Sequence, residues 1–440
     1  MSTAAPIDKI DLVRSEAARR LQELEEQVKA LASPPPSWLE TNSAETSEDS
    51  AHQNENPHDR HDNFAFAHLN HAGFVKLSQF ASLDECEAMK AEMVRLVKEE
   101  WNEHEVEDFG TNAVQNEARG DYFLASADRI HYFCEPAALQ DSTTTNKDES
   151  SIARTKTLKP EYQSPDAKVQ ALNKAGHALH CVKYFDDPSD GGHRRRPNPF
   201  YDYCTSDKIR RLVHQELQWR DPVVPQSMYI FKAPRVGGAV SSHQDSTFLW
   251  TEPRQSCLGL WLALDDATLN NGCLWVRPQS HTEPVHRQYK RNPQHFGDDV
   301  IEQRHNVPKG NVETESKFVM ENCPTKTDHE NGNTTASQPQ ETPPPLDLDT
   351  LSAHELWSQT NHDYVPVECR AGDLLVFVGT LDHLSLPNVS AEQRHTFQLH
   401  LVEGPRANVT WSPYNWLQYP PGKPFLRLVV KDDDDVNSGE

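Results

Sequence analysis

The sequence predicts a mainly β domain, a sandwich or barrel with flanking helices and polar loop insertions, and three observations carry that expectation. From Val223 onward the chain runs as short stretches rich in β-branched and aromatic residues, punctuated by Gly, Pro and Asn. Apolar residues make up only 36% of the 440 residues, so a core of ordinary density must be confined to part of the chain. Long polar tracts interrupt the ordered stretches, and their composition marks them as insertions.

Residues 1–36 form an N-terminal helical unit. Ile10, Ala17, Leu21, Leu24, Val28 and Leu31 are its apolar positions, with heptad spacing from Ala17 onward. Two heptads are marginal alone, so the helix is expected to dock on the main domain or fray, the alternative being a weak homo-oligomer contact. Pro34, Pro35 and Pro36 stop it, and residues 37–62, polar and acidic without periodicity, read as a disordered linker.

The main domain spans residues 63–430, with order beginning near Phe64. A short strand is expected over 71–77. Ser82 with Glu85 makes a capping box before a helix whose apolar stripe is Cys86, Met89, Met93, Leu96 and Val97. Residues 120–133 are a further ordered piece, 140–165 a Ser/Thr/Lys/Glu-rich insertion, and 172–180 resume apolar periodicity. The tract 186–198, with its basic run Arg194–Arg196, is a second insertion, and 209–219 an amphipathic helix. Strands are predicted over 226–232, 239–245, 257–264, 273–276, 373–378 and 395–402, with a tight turn at Asn270-Asn271-Gly272. The polar tract 305–364 reads as a loop inserted between strands, and 431–440 as an acidic tail.

A net charge of −24 repels phosphate backbones, which argues against nucleic acid as a partner and leaves a small-molecule substrate. The eight cysteines include no Cys-x-x-Cys and read as buried free thiols of a reducing compartment. The chain shows no apolar signal core, no run long enough to span a bilayer and no Ser-Lys-Leu ending. A cytoplasmic protein is expected, with the nucleus left open.

Chemistry concentrates around His243-Gln244-Asp245. Alternate residues of an extended chain project to one side, so this imidazole and carboxylate stand together as candidate metal ligands, the alternative for the pair taken alone being a surface loop. His383, after the strand 373–378, is the best candidate for a third, and two His with one carboxylate is the donor set of non-haem Fe(II) oxygenases. In Leu258–Leu264 the even positions are leucine. Gly259, Trp261 and Ala263 face the other way, where small residues around one aromatic either leave room for a bound molecule or let Trp261 fill the core. Phe397, Leu399 and Leu401 share one face of their strand while Arg394 and Thr396 point to the other. A guanidinium aimed into the domain needs an anion, and a carboxylate from a diacid would satisfy it.

The segment from His243 to Pro253 and the run from Gly259 to His281 resemble the phytanoyl-CoA dioxygenase family. So do the stretches 120–124, 173–180, 226–232 and 410–417. The resemblance implies a double-stranded β-helix (jelly roll, cupin-like) that holds Fe(II) and uses 2-oxoglutarate and O₂, with ascorbate as a candidate reductant. It implies that His243, Asp245 and His383 ligate iron, that Arg394 grips the distal carboxylate of 2-oxoglutarate, and that Lys174, Met228 and Trp261 line the cosubstrate pocket. Thr396 is added as a second contact from strand parity. The implied reaction hydroxylates a small organic substrate, lipid-like or acyl in kind, with release of succinate and CO₂. Retention of Asp245 favours hydroxylation over halogenation, which needs that ligand position for a halide. The missing peroxisomal ending argues against a CoA ester. Two other readings stand beside this one: a non-catalytic iron- and 2-oxoglutarate-binding scaffold or sensor, and a zinc hydrolase in which Arg394 would have no role. The family's usual Pro-Gly-Ser-His is Pro278-Gln279-Ser280-His281 here, which places the local turn in question.

Overall fold

The computed structural model describes residues 8–31, 62–102, 106–109, 120–145, 152–186, 195–297, 316–323 and 347–429. The expected linker and acidic tail, and the centres of the insertions near 186–198 and 305–364, lie outside the described residues.

The strands that frame the site are, in chain order, β1 (Phe74–Leu77), β2 (Ile130–Cys134), β3 (Leu172–His177), β4 (Pro222–Ile230), β5 (Val240–His243), β6 (Leu258–Ala263), β7 (Leu274–Val276), β8 (Val365–Val367), β9 (Leu374–Val378), β10 (His383–Ser385) and β11 (Thr396–Glu403). They form two antiparallel sheets. The larger, of eight strands, runs β1-β9-β6-β11-β4-β3-β2, with Leu426–Arg427 added on β4; the smaller runs β8-β7-β10-β5. This is the jelly-roll arrangement, and among the described residues the sheets do not close into a barrel.

Period-two alternation decides which face each residue of the large sheet serves. On β6, Leu258, Leu260 and Leu262 join Leu399 and Leu401 of β11 on the outer face. There they pack on the helix α1 (Leu83–Glu99), whose Cys86, Met89, Met93, Leu96 and Val97 are all buried. The expected capping box is present, with Glu85 N–H donating to Ser82 Oγ and Ser82 N–H to Glu85 Oε2. Trp261 and Ala263 face inward with Leu375 and Phe377 of β9, against Leu274, Trp275 and Val276 of β7. Between these inner faces sits the candidate site.

The N-terminal helix, Lys9–Leu31, docks on its own domain. Val13, Ala17 and Val28 are buried, Trp357 Nε1 donates to Glu16 at 3.0 Å, and Arg14 pairs with Glu368 at 2.8 Å. The apolar seam is thus covered from within the chain.

Of the predicted strands, all six are present within a few residues. The insertion expected over 140–165 is instead built around a β-hairpin, Leu139–Thr145 with Ile152–Leu158. Its Thr-rich composition suits extended backbone, which polarity alone does not reveal. Within 305–364, Phe318–Asn322 pairs with Arg287–Arg291, and the helix Ala353–Gln359, capped by Ser352 and Glu355, buries Leu356 and Trp357. Short apolar islands in polar sequence carry too little periodicity to declare these elements. No helix among the described residues is long and apolar enough to cross a membrane.

The question at Gln279 has a backbone answer. Its φ is +67°, the left-handed region that glycine enters without a Cβ clash. Gln279→Gly is therefore expected to stabilise the protein by about 0.5–1 kcal/mol, read as a rise in Tm of roughly 1–2 °C. An unchanged or lower Tm would show that the turn carries no strain.

Candidate active site

Residues His243 and His383 face each other directly, since β5 and β10 pair antiparallel in that register. Their ring centres are 4.2 Å apart. Asp245 lies just beyond the end of β5, in the short helical turn Asp245–Thr247. Gln244 keeps the chain extended up to that point, with φ −109° and ψ 131°, so the one-residue spacing still places the carboxylate beside the imidazole. The Gln244 side chain anchors this corner by donating to Thr380 O at 2.8 Å and accepting from His286 N–H at 3.0 Å. His243 Nε2 is 3.4 Å and His383 Nε2 3.7 Å from Asp245 Oδ1, and one ligand atom from each of the three residues falls within 4.8 Å of the others.

The tautomers follow from the neighbours. A carbonyl oxygen can only accept, so His243 Nδ1, 2.8 Å from Ser241 O, and His383 Nδ1, 3.1 Å from Leu381 O, carry the protons. Both Nε2 lone pairs are thereby turned toward the Asp245 carboxylate. Burial, together with His243, pushes the His383 pKa down to about 4, which keeps that imidazole neutral. Burial alone would raise the Asp245 pKa. His400, which donates through Nε2, is the first of the neighbouring imidazoles that overcome it and hold the carboxyl well below the usual range. His400 Nε2 lies 3.0 Å from Asp245 Oδ2, so this oxygen is held while Oδ1 faces the two imidazoles.

Close approach of β6 depends on Gly259. A Cβ there would lie 2.6 Å from the Phe377 ring and 3.2 Å from Asp245 Oδ2. Gly259→Ala is expected to cost about 1–3 kcal/mol of stability through overpacking. It should also loosen metal binding by about tenfold by displacing the carboxylate, since outer-shell changes at metal sites have effects of that size. A melting curve and a metal titration check the two parts.

The triad opens on a cavity whose wall includes Lys174, Met228, Trp261 and Arg394. Arg394 precedes β11 and is only 2% exposed. No carboxylate lies within ion-pair distance of it among the described residues. Its guanidinium stands 5.3 Å from the Trp261 ring centre, and Nη1 donates to Thr396 Oγ1 at 3.2 Å. Arg394 Nε and Trp261 Nε1 have no hydrogen-bond partner among the described residues. Burial pushes the Arg394 pKa down to about 10, still charged at neutral pH. Thr396 Oγ1 accepts the Nη1 bond from the guanidinium at the start of β11. Lys174 Nζ lies 2.9 Å from His177 Nε2 and 3.5 Å from the Phe109 ring centre. Trp261 serves both readings offered for it, packed in the core between the sheets and present in the cavity wall.

The family model for phytanoyl-CoA dioxygenase (PhyH) matches residues 69–396. The chain belongs to the phytanoyl-CoA dioxygenase family. It is 32% identical over 360 residues to phytanoyl-CoA dioxygenase domain-containing protein 1 of Mus musculus, covering 81% of this chain and 94% of that one. It is 30% identical over 347 residues to a phytanoyl-CoA dioxygenase of Arabidopsis thaliana, covering 79% and 89%. Among solved structures, the non-heme alpha ketoglutarate dependent epimerase SnoN from nogalamycin biosynthesis matches with 13% identity and a TM-score of 0.41, covering 83% of this chain and 97% of that one, a likeness too loose to bear on the site.

Members of the phytanoyl-CoA dioxygenase family are iron- and 2-oxoglutarate-dependent enzymes, and the residues here fit both groups. Two imidazoles with fixed Nε2 lone pairs and one carboxylate suit ferrous iron with positions left open. The unpartnered Arg394 Nε and Trp261 Nε1 are donors awaiting an acceptor-rich ligand. Sequence reasoning did not single out His400 or Gln398. The strand parity that turned Arg394 and Thr396 inward reaches both, and both line the cavity. Lys232 and Ser385 were also missed, and no local pattern marks them.

Proposed function

We propose that the protein is an Fe(II)- and 2-oxoglutarate-dependent dioxygenase that hydroxylates a small organic substrate and releases succinate and CO₂. The observation that carries this reading is Arg394, a buried guanidinium without an anion at the wall of the cavity that also holds the His243, Asp245 and His383 side chains. A zinc hydrolase would have no use for it. Burying an unpaired cation is costly, and a dicarboxylic cosubstrate supplies the missing partner.

In this reading His243, Asp245 and His383 hold the iron, which supplies O₂ activation coupled to decarboxylation of the 2-oxo acid. Arg394, braced by Thr396 and stacked near Trp261, orients the distal carboxylate. His400 keeps Asp245 aimed with one oxygen, which leaves ligand positions for cosubstrate and O₂. An intact carboxylate ligand favours hydroxylation over halide transfer. Phe109, Phe123, Phe248, Leu249 and Trp416 make much of the remaining wall apolar, which suits a hydrophobic substrate and excludes water from the reacting centre.

The test is succinate formation from 2-oxoglutarate by the purified full chain with Fe(II), ascorbate and O₂. Uncoupled succinate release, even slow, supports the oxygenase. Tight binding of iron and 2-oxoglutarate with no release across a panel of apolar and acyl substrates would favour a binding scaffold or sensor, and failure to bind either would overturn both.

A further inference from the structure

A second buried cation shares the cavity. Lys232 follows β4 by two residues and is 2% exposed. Its backbone has φ +39°, in the left-handed region where a residue with a side chain is strained, and such strain persists only where surrounding structure enforces it. Here the enforcement is visible: Asn388 Nδ2 donates to Lys232 O at 2.9 Å, and two glycines make room. A Cβ on Gly272 would lie 2.5 Å from Lys232 Cε, and one on Gly237 would lie 2.8 Å from its Cα. Lys232 Nζ donates to Gly238 O at 2.7 Å and to Ser385 Oγ at 2.9 Å, and no carboxylate lies within ion-pair distance among the described residues. An ammonium has three protons, so one remains after these two bonds. Lys232, Ser385 and Arg394 all line the same cavity.

We propose that Lys232 is a second cation of the cosubstrate subsite, which together with Arg394 binds the distal carboxylate of a dicarboxylic 2-oxo acid. This rests on the oxygenase reading given above. Because Ser385 Oγ accepts from Lys232, its own proton remains available as a further donor toward the cavity it lines. Burial and the field of Arg394 push the Lys232 pKa down, and the buried Glu135 carboxylate pulls it up. A carboxylate bound at this wall would offset the repulsion between Lys232 and Arg394. Two cations lining one cavity favour a ligand that carries full negative charge at a second carboxylate.

The test measures dissociation constants of the Mn(II)-loaded full chain for 2-oxoglutarate and for 2-oxobutanoate, which lacks the distal carboxylate. Lys232→Met is expected to raise the 2-oxoglutarate constant by about tenfold or more, the size expected for a lost charge-assisted hydrogen bond. The 2-oxobutanoate constant should stay within about twofold, because only the distal carboxylate is addressed. Lys232→Arg keeps a cation and should retain most of the preference. Lys232→Gln, which keeps a donor for Gly238 without the charge, gives the same reading should the methionine variant fail to fold. Equal changes for both acids, or none, would overturn the assignment. Failure of the Mn(II)-loaded wild type to bind 2-oxoglutarate would remove the cosubstrate site itself, and the role of Lys232 with it.

Discussion

Replacing Arg394 by Met is expected to weaken 2-oxoglutarate binding by about 100-fold or more, because truncating one partner of a buried charge pair costs roughly 2–5 kcal/mol. The same substitution should raise the stability of the ligand-free protein by about 1–3 kcal/mol, since an uncompensated buried cation is exchanged for an apolar side chain of similar length. The opposite signs make the prediction diagnostic. An arginine kept for packing would lose stability on replacement and leave the affinity for 2-oxoglutarate unchanged. Chemical denaturation without ligand and calorimetric titration of the metal-loaded protein read the two quantities separately. Arg394→Lys should recover only part of the affinity, because an ammonium cannot present the paired donors of the guanidinium fork to a carboxylate. A stability loss together with unchanged affinity in the methionine variant would end the cosubstrate assignment.

Strands long enough to show their alternation were legible in the sequence. The even leucines of 258–264 and the Phe397, Leu399 and Leu401 series each declare an outer face, and the structure lays those faces on α1. Strands β8 and β10 have three residues each, less than two periods of alternation, and only their neighbours, β7 for both and β5 for β10, give them a place. The same limit governs the site. His243 and Asp245 are one residue apart and announce themselves, whereas His383 is adjacent to them only through the register of β5 with β10. His400 could have been found by extending the parity of Arg394 and Thr396 two steps further along β11. Lys232 could not: a strained loop residue after a strand has no signature, and it is closely approached both by Gly237 of its own loop and by Gly272 from elsewhere in the fold. Glycines read as turn formers, as at Asn270-Asn271-Gly272, turn out also to clear space, a role that sequence shows only after the neighbours are known.

His383→Ala is the second change of large expected effect. It should raise the dissociation constant for Fe(II) by more than the roughly 10–100-fold that follows loss of an outer-shell partner, and it should abolish succinate release. The comparison that gives the result meaning is His400→Phe. Both imidazoles approach Asp245, His383 at 3.7 Å from Oδ1 and His400 at 3.0 Å from Oδ2, so proximity to the carboxylate alone does not say which one binds metal. The backbone decides. His383 Nδ1 is committed to Leu381 O, which leaves Nε2 as a lone pair beside His243 Nε2. His400 uses Nε2 on Asp245, and a carboxylate held well below its usual pKa accepts rather than donates, so this nitrogen carries the proton and cannot be a ligand. His400→Phe is therefore expected to leave a bound but weaker metal, with affinity lowered about 10–100-fold in a metal titration. If His400→Phe instead eliminated metal binding while His383→Ala spared it, the ligand set would have to be redrawn around His400.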